Sequence, residues 1–316
     1  MDSIRTKPLP KEIKNQNLMI KKTLYFENPC YLKKKDKQLV VDFPDKEKES
    51  RSVPLEDVGM IVIDNQQITL SHGLIVELME NNAAIVSCDS KHLPYGLMLP
   101  MSQHHAFTEK MYAQMESSEP LRKNLWQQTV AAKISNQAAV LKSLGIDAAN
   151  MDYWASQVKS GDPDNYEARA AAYYWDNLFE QYDGFRRHRY GDAPNNLLNY
   201  GYAILRAIVA RALVGSGLFT ALGIHHKNKY NPYCLADDIM EPYRPYTDAL
   251  VLEILKDNPE LEELSTPIKA RLLSIATVDI SIDKQTSPLM VGVQRTTASV
   301  RKCFEGESRK IIYPVL

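Results

Sequence analysis

Two periodicities divide the 316-residue chain. Between residues 23 and 101 apolar positions come in short runs separated by turn residues, the pattern of strands, at 23–26, 31–32, 38–41, 59–64 and 84–87. The Lys-rich stretch at 33–37 reads as a charged hairpin turn that keeps strand edges from pairing. One helix interrupts these runs, with Ser71 as its cap and Leu74, Ile75, Leu78 and Met79 on one face. Beyond residue 101 the period lengthens to about 3.6 and Gly and Pro become sparse inside the segments. Helices are predicted over 121–144, 166–182, 197–214, 245–255, 267–276 and 288–304, the second after the start signal Gly161-Asp162-Pro163-Asp164. The expected fold class is α+β. Residues 1–18, polar and carrying Pro8 and Pro10, read as a disordered extension or an upstream start; 19–100 form a small β domain and 101–316 a larger all-α one.

Composition narrows the function classes. Hydrophobic residues at 44% and charged residues at 24% exclude a wholly disordered or fibrous chain. With 38 basic against 39 acidic side chains the net charge is −1, so any nucleic-acid site has to be local. The most apolar stretch, residues 203–224, is broken by Arg206 and Arg211 and does not read as a membrane span, and no secretory signal is visible. Cys30, Cys88, Cys234 and Cys303 form no CxxC pair, which argues against a thiolate zinc site and for a reduced cytoplasm.

Chemistry-bearing residues concentrate in LGIHHKNKYNPYCLADDIMEPYRP, residues 222–245. Asp238 and Glu241 share a helical face, where like charges repel unless a cation stands between them. A divalent ion is one such cation, with His225 or His226 completing a mixed oxygen and nitrogen shell suited to Mg²⁺ or Mn²⁺; two histidines together would suit iron. Acids that only complement a helix dipole, beside a solvated His-His pair, are the other reading. Glu167 opens a second cluster, GDPDNYEARAAAYYW from Gly161, where small neighbours at Ala168, Ala170, Ala171 and Ala172 admit a close approach, but on the residues alone the reading that prevails is a surface Glu at a helix start. In FRRHRY, residues 185–190, Arg186, Arg187 and Arg189 lie between aromatics and can hold phosphate and stack bases, or form a solvated loop.

The 222–245 string resembles the signature of the CRISPR adaptation integrase, the first CRISPR-associated protein, in the form found beside single-protein effectors of type II systems. Further matches run in order: MIKKTLYFENPCYL from Met19, the segment after Ile61, LWQQTVAAKISNQA from Leu125, the Glu167 segment, NNLLNYGYAILRAIVARAL from Asn195, and SPLMVGVQRTTASVRKCFEGE from Ser287. The resemblance implies a homodimer with a dimerising N-terminal β domain and a helical catalytic domain. It implies that Glu167, His226 and Glu241 hold Mg²⁺ or Mn²⁺, with Asp238 auxiliary. The resemblance implies His226 over His225, because the family's ligand lies next to the basic residue, here Lys227, and 15 positions before the acid. Ala168 departs from the Gly that relatives often carry there. Arg244 is expected to brace Glu241 or Asp238, or to touch the scissile strand, and Lys227 joins the loop arginines as a DNA contact. The implied activity is insertion of captured DNA into a CRISPR repeat by attack of a 3′-hydroxyl. Its expected partners are double-stranded DNA, a dimer of the second CRISPR adaptation protein and the effector nuclease, with no membrane. A catalytically inactive DNA-binding scaffold and a stand-alone metal-dependent nuclease of repair or of a mobile element are the alternatives.

Overall fold

In the computed structural model, which describes residues 21–101, 106–182, 184–188, 190–259, 261 and 263–316, the short apolar runs become two sheets. Residues 1–18 and Arg189 lie outside the described residues. The strands are β1 (Lys22–Phe26), β2 (Tyr31–Lys35), β3 (Gln38–Asp42), β4 (Arg51–Pro54), β5 (Val58–Ile63), β6 (Thr69–Leu70), β7 (Ala84–Cys88) and β8 (Pro94–Met98). One sheet has the order β1-β5-β7-β8, its first three strands parallel and β8 antiparallel; the other has the order β4-β3-β2-β6. The Lys-rich turn is the predicted hairpin: Lys35 pairs with Gln38, and Asp36 and Lys37 between them both take positive φ, 47° and 60°. Such a turn matches the right-handed twist of its strands. Ser71 caps α1 (His72–Glu80), its hydroxyl accepting the Leu74 N–H at 3.4 Å.

Strand β5 is buried almost throughout because both faces of its sheet are covered, as parallel strands require. Ile61 and Ile85 face Leu74 and Leu78 of α1 and Leu32 and Leu39 of the second sheet. Met60, Val62, Ala84 and Val86 face the other way and join the core of the helical half. A buried ion pair pins the two halves further, with Lys269 Nζ 2.9 Å from an Asp64 oxygen at the end of β5.

The helical half contains α2 (Phe107–Met115), α3 (Glu119–Ser143), α4 (Ala149–Gln157), α5 (Tyr166–Leu178), α6 (Asn195–Gly215), α7 (Cys234–Met240), α8 (Arg244–Asp257), α9 (Thr266–Leu273) and α10 (Leu289–Phe304). Six of these meet the predicted segments. The nine-residue α2 and α4 were not anticipated, being too short for a sustained apolar stripe. The expectation of an all-α half is corrected by an antiparallel sheet of order β10-β9-β11, from β9 (Asp279–Ile282), β10 (Gln285–Pro288) and β11 (Pro314–Val315). Alternation there spans four residues, with Ile280 and Ile282 buried, and its turn at Asp283-Lys284 repeats the positive φ pair of the first hairpin. α6 is the central helix: long and apolar enough by composition to cross a membrane, it has 83% of that window buried inside the fold. Gly201 brings it against α8, since a Cβ there would stand 2.5 Å from the Thr247 methyl.

Candidate active site

Glu167 is placed by the turn that precedes it. Asp162 adopts a left-handed conformation, φ 51°, and its carboxylate accepts the backbone N–H of Tyr166 at 3.0 Å and of Glu167 at 2.9 Å, satisfying first-turn amides of α5. From that turn the Glu167 carboxylate reaches Lys133 of α3, Oε1 to Nζ 2.8 Å. The same ammonium stands 2.6 Å from Oε2 of Glu241, which opens a short 3₁₀ turn, Glu241–Tyr243, between α7 and α8. Arg244 Nε lies 2.9 Å from the other Glu241 oxygen. Burial alone would raise the Glu241 carboxyl, but the charges of Arg244 and Lys133 outweigh it and hold the group below its ordinary value. For Lys133, burial pulls downward and the two carboxylates, Glu241 first, more than reverse it. These contacts satisfy charge better than direction, because neither Glu241 Oε2 nor Arg244 Nε has a well-angled hydrogen bond.

The histidine loop is held by a fully buried Asp238 on α7. One of its carboxylate oxygens accepts the His225 N–H at 3.0 Å; the other accepts the His226 N–H at 3.3 Å and lies 2.5 Å from His226 Nδ1. That hydrogen bond raises the imidazole above its ordinary value, against partial burial. Glycine is required at 223, where a Cβ would meet the His226 carbonyl at 2.5 Å and Asp238 Oδ2 at 2.7 Å. The His225 ring stacks on Trp126 of α3 at 4.1 Å and 6°, while His226 meets the same indole edge-on. Asp237 is spent on Arg206 at 2.6 Å and Asn231 at 2.7 Å.

The structure thus brings Glu167 and Glu241 to one ammonium and turns His226 onto Asp238, one helical turn before Glu241. Among the described residues no three His, Cys, Asp or Glu side chains stand together at metal-holding distances, since Lys133 occupies the place between the carboxylates. The donor set nevertheless fits a hard divalent ion. It offers two carboxylates, a Glu241 oxygen without a hydrogen bond, and an imidazole whose Nδ1 is committed to a carboxylate, which leaves Nε2 to coordinate. The loop arginines divide. Arg186 is exposed, beside a cavity of about 390 Å³ lined also by Tyr182, Phe185, Asp192 and Asn195. Arg187 is turned inward, bonding Asn195 at 3.0 Å and Asn199 at 2.7 Å and lying over the rings of Tyr202 and Trp175. Lys227 is exposed next to His226.

Sequence reasoning missed three contributors. Lys133 interrupts the stripe of Trp126, Val130 and Gln137, and a lone charge on a buried face was the available signal. Trp126 looked like any core aromatic. Asp248 is buried on α8, where the Tyr174 hydroxyl donates to it at 2.9 Å and the Tyr202 hydroxyl at 2.5 Å. Tyr202 in turn carries the Arg244 guanidinium 4.7 Å above its ring.

Comparison with known proteins gives a consistent picture. A family model described as CRISPR associated protein Cas1 matches residues 24–263. A CRISPR-associated endonuclease Cas1 of Neisseria meningitidis is 38% identical over 280 residues, 88% of this chain and 90% of that protein. Among solved structures, a casposase bound to integration product superposes with a TM-score of 0.77 at 19% identity, covering 92% of each chain. The fold also matches a Cas6-RT-Cas1–Cas2 complex with a TM-score of 0.70 at 18% identity, over 92% of this chain and 36% of that one.

Proposed function

Because the chain belongs to the Cas1 family of CRISPR-associated proteins, we propose that it is a metal-dependent DNA endonuclease and integrase that inserts captured DNA into a CRISPR repeat. Glu167, His226 and Glu241 would hold Mg²⁺ or Mn²⁺, and the 3′-hydroxyl of the captured DNA would attack the repeat phosphodiester, forming the new P–O bond as the 3′-oxygen of the cut repeat strand leaves. The observation that carries this reading is the meeting of Glu167 and Glu241, from separate elements, at the largely buried ammonium of Lys133 beside the Asp238-bound His226. When bound, the ion neutralises a phosphate oxygen and supports an oxygen nucleophile at neutral pH. The chain's own residues do the rest. Asp238 fixes the ring orientation and tautomer of His226, Arg244 holds the Glu241 carboxylate, and Asp162 sets the turn from which Glu167 projects. Arg186 and Lys227, both exposed, meet backbone phosphate.

A net charge of −1 leaves little general attraction for DNA. A homodimer joined to a dimer of Cas2 supplies the missing platform, a reading supported by the likeness to the Cas1–Cas2 complex. The test is His226→Ala. Fold and DNA binding persist, while strand transfer of a 3′-hydroxyl-ended duplex into repeat DNA, measured with Cas2 at matched DNA occupancy, falls about 100-fold. Equal activity in variant and wild type would overturn the assignment and favour a scaffold that does not turn over.

A further inference from the structure

Lys133 is the one charge on the buried stripe of α3, with 12% of its side chain exposed. An ammonium is costly there unless carboxylates compensate it, and two carboxylates so close are costly unless a cation lies between them. Each solves the other's problem, Nζ standing 2.8 Å from Glu167 and 2.6 Å from Glu241. A divalent ion would solve the same problem at the same oxygens. Both cations cannot stay, since carboxylate oxygens sit about 2.0–2.6 Å from a bound ion and like charges that close repel strongly at a partly buried site. Of the cations on Glu241, Arg244 is fixed by its stack on Tyr202, whereas a lysine is a point charge on a flexible stem.

Resting on the metal reading above, we propose that Lys133 is a resident cation of this site. It holds Glu167 and Glu241 together in the metal-free protein, and an arriving divalent ion expels it from between them, so its charge sets metal affinity.

The test titrates Mn²⁺ alone into the full chain and its Lys133→Met variant by calorimetry. In parallel, the wild type is acylated at its amines with and without saturating Mn²⁺, and each lysine is read by mass spectrometry. The variant is expected to bind Mn²⁺ at least about tenfold more tightly, and Lys133 of the wild type to acylate several-fold faster once the ion is bound. Equal or weaker binding by a folded variant, with the wild type still saturable, overturns the role of Lys133 and leaves the metal site standing. Should the variant fail to fold, unchanged or slower acylation of Lys133 at saturating Mn²⁺ overturns it alone. No saturable binding to either protein overturns the metal reading and this proposal together.

Discussion

Asp248 offers a quantitative test of how the helical core is wired. Its carboxyl is buried between α5, α6 and α8, and burial pushes it from 3.8 up to about 7, against the pull of the Tyr202 and Tyr174 hydroxyls and of Arg244 and Arg187. Because the folded pKa is raised, the native chain keeps a proton between about pH 4 and 7 that the unfolded chain has lost. Stability is therefore greatest below the unfolded value and declines as pH rises through this window. A gap from 3.8 to about 7 corresponds to about 4 kcal/mol, the upper bound on the loss. Asp248→Asn keeps the size and a neutral side chain with a donor and an acceptor, and removes the titration. Urea unfolding at pH 4.5 and 7.5 should find the two proteins similar at the lower pH and the variant more stable by a few kcal/mol at the higher. Differencing the two proteins cancels the other groups that titrate in this range. Parallel profiles would refute the buried, protonated Asp248 and with it the Asp248–Tyr202–Arg244 support of Glu241.

Other perturbations separate structure from chemistry. Lys269→Met strands Asp64 at the junction of the two halves, with the Tyr25 hydroxyl and His92 among its remaining partners, and should cost about 3 kcal/mol of unfolding free energy; a loss under about 1 kcal/mol would mean that the pair matters little. Arg187→Ala should lower the melting temperature through loss of about 1–3 kcal/mol, whereas Arg186→Ala should leave melting unchanged and only weaken DNA binding and flatten its salt dependence. Matching melting curves for the two variants would show that the inward contacts of Arg187 are dispensable.

Much of the order of elements was legible in the chain, where an element rests on local chemistry. Ser71 signals a helix start, the residues between Lys35 and Gln38 signal a turn, and the long apolar stripes of α3 and α6 signal buried helices. Glu167, His226, Glu241 and Arg244 were singled out in the sequence, those of residues 222–245 by their density of metal-type donors and Glu167 as a ligand only through the family resemblance, since a glutamate at a helix start is ordinary by itself. What the chain alone could not show depends on contacts between residues far apart in sequence. The sheet at Asp279–Ile282 needed Pro314–Val315 as a partner, and the β half needed α6 to cover the face carrying Met60 and Val62. Lys133 is ordinary in any local window and becomes the centre of the site only when α3, α5 and the Glu241 turn meet. Arg187 shows the converse. Its neighbours in sequence suggest a phosphate grip, yet Asn195, Asn199 and Tyr202 claim it, because a guanidinium that can be satisfied inside the fold does not stay free for a ligand.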